Sequence, residues 1–127
     1  MSNDGRHTLN KVNLREQFAR IEGYWKPRIA TELHDVAVKL VKIKGEFDWH
    51  HHDREDEVFL VVQGRFQMQF RDREVWVEEG ELILVPHGVE HRPVAPEEAH
   101  ILLIEPTSTL NTGNVVTDKT VAAPDRI

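Results

Sequence analysis

The chain lacks cysteine, has little aromatic content and carries no long apolar run, and each absence closes off a class of protein. Without cysteine there is no disulfide, no thiolate metal site and no thiol nucleophile. Such a chain relies on its core alone, which suits the cytoplasm. There is no surplus of positive charge either: 16 Lys and Arg stand against 22 Asp and Glu, a net charge of -6. That is not the basic footprint of a nucleic-acid binder. No apolar stretch approaches the ~20 residues that a membrane span needs. The opening residues, MSNDGRHTLNKV, lack the apolar segment of a secretory signal. The expectation is a cytoplasmic protein with neither nucleic acid nor membrane as partner.

What is present fits one domain. A chain of 127 residues, 39% hydrophobic and 30% charged, can bury one core but not two. Against this ordinary background stand eight histidines, several of them grouped.

Residues 1–27 read as an N-terminal extension. Asn13 is placed to cap a short helix over residues 14–25, in which Leu14, Phe18 and Ile21 recur at helical spacing. Gly23 and Pro27 close it. From residue 28 the pattern changes to strands, expected at 28–33, 36–40, 58–62, 65–71, 75–77, 81–85 and 100–104. In 65–71, Phe66, Met68 and Phe70 alternate with Gln67 and Gln69, so period two puts the apolar three on one face. The unbroken run Val58 to Val62 is expected of a strand buried on both faces. His34 and His100 fall in strands as ordinary structural residues. Glycines at 45, 64, 80 and 88 punctuate these runs. Short strands with turn signals between them indicate an antiparallel sandwich or closed barrel over residues 28–106. Residues 107–127 read as a polar tail that crosses the surface, with room for one edge strand at Val115 and Val116.

The chemistry concentrates in Trp49-His50-His51-His52-Asp53-Arg54-Glu55-Asp56-Glu57. In extended backbone His50 and His52 share a face, while His51 takes the other. Glu57 has the wrong parity for that face, unless Asp53 to Asp56 is a turn that resets it. A third histidine, His91, follows a stiff turn in which Pro86 fixes φ and Gly88 permits a wide range.

In this arrangement the sequence resembles the cupin superfamily, which carries two short motifs. Gly45, His50, His52, Glu57 and Gly64 fit the first, with one residue fewer than usual between Gly45 and His50. Gly80, Pro86, Gly88 and His91 fit the second, with Ala95 where an Asn often stands. The resemblance implies an all-β fold, a double-stranded β-helix or jelly-roll barrel, with the short N-terminal helix added. It implies one divalent transition metal (Fe, Mn, Ni, Zn or Cu) held by His50, His52, Glu57 and His91. A competing register pairs His51 with Asp53; two imidazoles are the commoner pair. The resemblance further implies a small-molecule substrate, a metal-dependent oxygenase, isomerase or lyase with Glu57 as labile catalytic ligand, and a homodimer. A non-catalytic binding, sensing or structural cupin is the alternative.

Other residues carry blander expectations. His87, Glu55 and Asp56 belong to solvated turns. His7 lies in a loose terminus. Trp25 and Trp76 read as packing or interface residues, and Trp49 as packing or a shield for the ligands. Arg65, Gln67, Gln69 and Arg92 cannot be assigned a barrel face by parity.

Overall fold

The computed structural model of the chain describes residues 11–127. His7 lies outside the described residues. One helix, α1 (Leu14–Arg20), precedes seven strands: β1 (Arg28–Leu33), β2 (Val36–Glu46), β3 (Glu57–Gln63), β4 (Arg65–Phe70), β5 (Glu74–Glu78), β6 (Leu82–Val85) and β7 (His91–Pro106). No helix among them is long and apolar enough to cross a membrane.

Asn13 caps α1 as expected, its side chain accepting from the Glu16 N–H at 3.0 Å. The helix stops at Arg20, well before residue 25. The chain turns away there because Trp25 is drawn onto β2, donating its backbone N–H to the Lys42 carbonyl at 2.8 Å.

All strand pairs are antiparallel. The order β1-β2-β7-β3-β6 makes one face of the barrel, and β4 and β5 join it through β7. This sharing explains the length of β7. Its C-terminal half pairs with β2 and β3, and its N-terminal half pairs with β4. The sequence reveals only 100–104 of this strand. The polar Arg92, Glu97 and Glu98 mask its continuation to His91, although His91, Pro93 and Ala95 do alternate inward with period two. The result is the all-β jelly roll with a short N-terminal helix that the sequence predicts.

Inward side chains of β2, β3, β4 and β7 interdigitate into one core, including Val41, Phe59, Phe66, Met68, Ile101 and Leu103. A second cluster lies outside the barrel wall, where Phe18 of α1 and Ile21 just after the helix cover Leu40. Burying Phe18 there is worth roughly 1.5–3 kcal/mol. Phe18 also stacks on His100, ring centroids 4.6 Å apart. The run Val58 to Val62 is therefore apolar for two reasons. Phe59 and Val61 face the core, while Val62 packs against the helix-covered patch.

Two expectations need correction. His34 sits in the β1–β2 turn with φ of 54°, not in a strand. Val115 and Val116 form no edge strand, and Val116 is 84% exposed. The Thr112 hydroxyl donates to the Val115 carbonyl at 2.7 Å, folding the segment on itself instead. Further on, the tail meets β1 around Arg126, where Ile29 donates to the Asp125 carbonyl at 2.8 Å and accepts from the Ile127 N–H at 3.1 Å.

Candidate metal centre

Residues 47–56 connect β2 to β3 without a regular ladder. They follow the start of β7 by borrowed bonds. The Phe47 N–H donates to the Pro93 carbonyl at 3.0 Å, and His50 and His91 exchange backbone hydrogen bonds at 3.1 and 2.9 Å. This extended path turns His50 and His52 inward and His51 outward, as the parity argument requires. A bend at Asp53 and Arg54 then resets the alternation. Glu57 opens β3 on the inward face it shares with Phe59 and Val61. His91 opens β7.

Four side chains thus converge. His50, His52, Glu57 and His91 are all buried, and one donor atom from each lies within 4.8 Å of the others. His52 Nε2 is 2.9 Å from Glu57 Oε1, and His91 Nε2 is 3.4 Å from it. Yet these three buried atoms make no directed hydrogen bond. Leaving such atoms unpaired costs about 1–3 kcal/mol each. A cation placed among them would satisfy all three.

The ring orientations suit that role. Nδ1 of His50 and of His91 each sit 2.8 Å from a backbone carbonyl, of Asp48 and Val89 respectively. A carbonyl only accepts, so each Nδ1 carries the proton and Nε2 keeps its lone pair. Burial, reinforced by repulsion from His91, pulls the His50 pKa down to about 4. Burial alone would raise Glu57, but the His52 and His91 imidazoles facing it outweigh burial and hold the carboxyl well below its usual range. Neutral imidazole beside ionised carboxylate is the protonation state that binds a metal. The residues present therefore fit a divalent ion.

The competing register fails on geometry. His51 points outward, with its Nε2 2.9 Å from Asp53, and both lie outside the cluster. His87 is exposed and paired with Asp56 at 2.8 Å. Trp49 lies beneath Arg71 and Arg92 on the outer surface, at 3.9 and 5.2 Å. Gln67, Gln69 and Arg92 form a hydrogen-bonded row on the outside of β4 and β7. Arg65 covers Trp76 at 3.8 Å.

Sequence reasoning missed two features. Lys39 and Glu105 form a buried ion pair of 2.7 Å. Burial and the neighbouring Glu57 push the Glu105 carboxyl well above its usual range, against the opposing pull of Lys39. The signal was available: Glu105 continues the inward series Ile101, Leu103. The second feature is the tail. The His51 N–H donates to Asn114 Oδ1 at 2.9 Å, and the Asn114 N–H returns a bond to the His51 carbonyl at 3.0 Å. Gly113 lies so close that a Cβ there would meet the His51 carbonyl at 2.2 Å.

Beside His50 and Glu57 lies a cavity of about 50 Å³, bounded by both residues, by Glu105 and by the barrel core.

Fold and site together define an antiparallel jelly roll that carries a histidine-rich, cation-shaped cluster in its interior. Residues 38–105 match the Cupin domain family, and the chain belongs to that family. A cupin-2 domain containing protein from Shewanella frigidimarina is 44% identical with a TM-score of 0.74, covering 75% of this chain and 93% of its own. Protein NMB1881 from Neisseria meningitidis is 35% identical with a TM-score of 0.71, covering 76% of this chain and 99% of its own. The uncharacterized protein YdbB of Bacillus subtilis (strain 168) is 40% identical over 63 residues, 49% of this chain. That match spans 56% of the curated relative's length.

Proposed function

We propose that this cupin binds one divalent transition ion through His50, His52, Glu57 and His91 and uses it to act on a small organic molecule. The observation that carries this reading is the trio of buried, unpartnered atoms His52 Nε2, His91 Nε2 and Glu57 Oε1. Three imidazoles and one carboxylate suit Fe, Mn, Ni, Zn or Cu alike. When bound, the ion supplies Lewis acidity or, if redox-active, a centre for oxygen chemistry. The chain's own part is to hold three buried imidazoles fixed and keep water scarce. Glu57 is the labile, ionised member, and its carboxylate faces both the cluster and the cavity. Dioxygenase, isomerase and lyase chemistry all remain within this reading. A non-catalytic binding or sensing module is the alternative, favoured if no substrate turns over.

The same reading makes the protein a cytoplasmic homodimer. Leu82 and Leu84 of β6 are 63% and 51% exposed. The strand registers align them with Leu60 and Val58 of β3, and Val58 in turn with Ile104 of β7. An outward apolar face of this kind suits a second copy. A monomer mass by light scattering overturns that part.

Elemental analysis of untagged, chelator-free protein tests the ion site. Near-stoichiometric metal, lost in the His50→Ala/His91→Ala double variant, supports it. No metal in either protein, after reconstitution with each ion, sinks it.

A further inference from the structure

The cavity beside the ion site has walls of one kind. Nine of its lining side chains are apolar, and four are polar: His50, Glu57, Glu105 and Asn111. His50 and Glu57 belong to the ion cluster. Glu105 pairs one oxygen, Oε2, with Lys39 and leaves Oε1 without a partner. Among the described residues no Lys or Arg lines the cavity, so none of them neutralises a phosphate or a second carboxylate there. The Asn111 amide is spent on the Lys119 carbonyl and the Val121 N–H, so Glu105 Oε1 is left to meet the several hydroxyls of a sugar, and each unsatisfied hydroxyl is penalised on burial.

The outer wall is Trp25, and its placement is unusual. Its backbone φ is 64°, a left-handed conformation that a bulky residue adopts only when its surroundings impose it. Two bonds to β2 impose it here: its N–H to the Lys42 carbonyl at 2.8 Å and its indole N–H to the Lys44 carbonyl at 3.0 Å. With the indole N–H already used, the ring has only its apolar surface to present. That ring packs on Phe47 at 4.8 Å, and Phe47 meets the edge of His50 at 5.3 Å. An aromatic row thus leads from Trp25 to the ion cluster.

We propose that Trp25 is a specificity-determining residue and that the site takes a small, flat, largely apolar molecule with one oxygen-donor end, an aromatic alcohol or enol in class. This rests on the ion site proposed above, because the oxygen end is the part that meets the ion. The apolar body lies against Trp25, Phe47 and Phe59. Sugars and sugar phosphates are disfavoured by the same walls.

Paired hydroxamates test this, since one oxygen-donor head can carry different bodies. Zinc content of the reconstituted chain is measured first and reports on the ion site alone. The zinc-loaded protein is then titrated calorimetrically with acetohydroxamate, benzohydroxamate and gluconohydroxamate. Benzohydroxamate is expected to bind roughly tenfold or more tighter than acetohydroxamate, and gluconohydroxamate no tighter than either. Trp25→Gly keeps the left-handed backbone without strain and is expected to abolish the preference. Trp25→Phe is expected to keep most of it. Zinc content and melting temperature show whether each variant folds. Equal affinities in the wild type, tighter gluconohydroxamate binding, or a preference unchanged in Trp25→Gly overturns the pocket reading alone. A chain that takes up no zinc overturns both readings.

Discussion

His91 and His50 reach the same spot from unlike stretches of backbone. His91 begins a 16-residue strand and pairs with Phe70 of β4. The turn before it is locally closed, the Val89 N–H bonding to the Pro86 carbonyl. His50 and His52 lie on a connection with almost no ladder of its own. That connection is clamped between two other segments. On one side the Gly88 N–H donates to the His52 carbonyl at 2.7 Å. On the other, Asn114 exchanges bonds with His51, and the Thr117 hydroxyl donates to Asp48 at 2.8 Å. Two ligands, Glu57 and His91, are thus part of the scaffold, and two, His50 and His52, depend on chain more than sixty residues away. Metal affinity should therefore be sensitive to residues that touch no metal as well as to the ligands.

Two glycines put this to the test. Gly113→Ala places a Cβ against the His51 carbonyl at a position of positive φ. It is expected to cost about 2–4 kcal/mol of stability. Metal affinity should fall roughly 10–100-fold, as when the groups supporting a ligand are lost. Gly88→Ala also meets a positive φ, 80°, but nothing lies within 4 Å of the added Cβ. Its expected cost is about 1 kcal/mol. Chelator competition and urea unfolding measure both. The reverse order would show that the second-motif turn, not the tail, governs the site.

Acid separates the two regions next. The His50 pKa is lowered to about 4 in the fold, so the unfolded chain takes up its proton first as pH falls. The stability that His50 contributes to the metal-free protein is full above about pH 6.5 and declines towards pH 4, by up to about 3 kcal/mol, while the raised Glu105 works in the opposite direction. Glu57, held low, adds a loss below that window. Amide exchange should rise in residues 47–56 before it rises in β7. Loss of protection in β7 first would contradict the contrast.

The smallest expected effect is at Asn114. Asn114→Ala keeps the backbone bond to His51 and removes the one its side chain accepts. A cost of about 1 kcal/mol follows. Faster metal release with little change in melting temperature would sharpen the picture of a tail that acts on the loop. No change in release would argue that Gly113 packing alone suffices.

Much of this was legible beforehand, for a local reason. Parity places His50 and His52 together, the Asp53 to Asp56 turn resets Glu57, and alternation sends Phe66 and Met68 inward. Each is a relation among near neighbours, which period two encodes directly. What could not be read depends on paths. Asn114 meets His51 only because the tail doubles back, and nothing periodic in TSTLNTGNVVTDKT records that. Trp25 looks like any packing residue until its backbone is seen wound left-handed onto β2. Lys39 hides in a strand where a charged residue normally marks the solvent face.

The position of Gly113 also bears on how the molecule is made. A chain synthesised from its N-terminus contains both histidine motifs before residues 111–117 exist. A chain ending just after Pro106 would carry every proposed ligand yet lack the outer clamp on the histidine loop and hold an ion poorly, so tight uptake would begin only once residues 111–117 have folded back onto that loop.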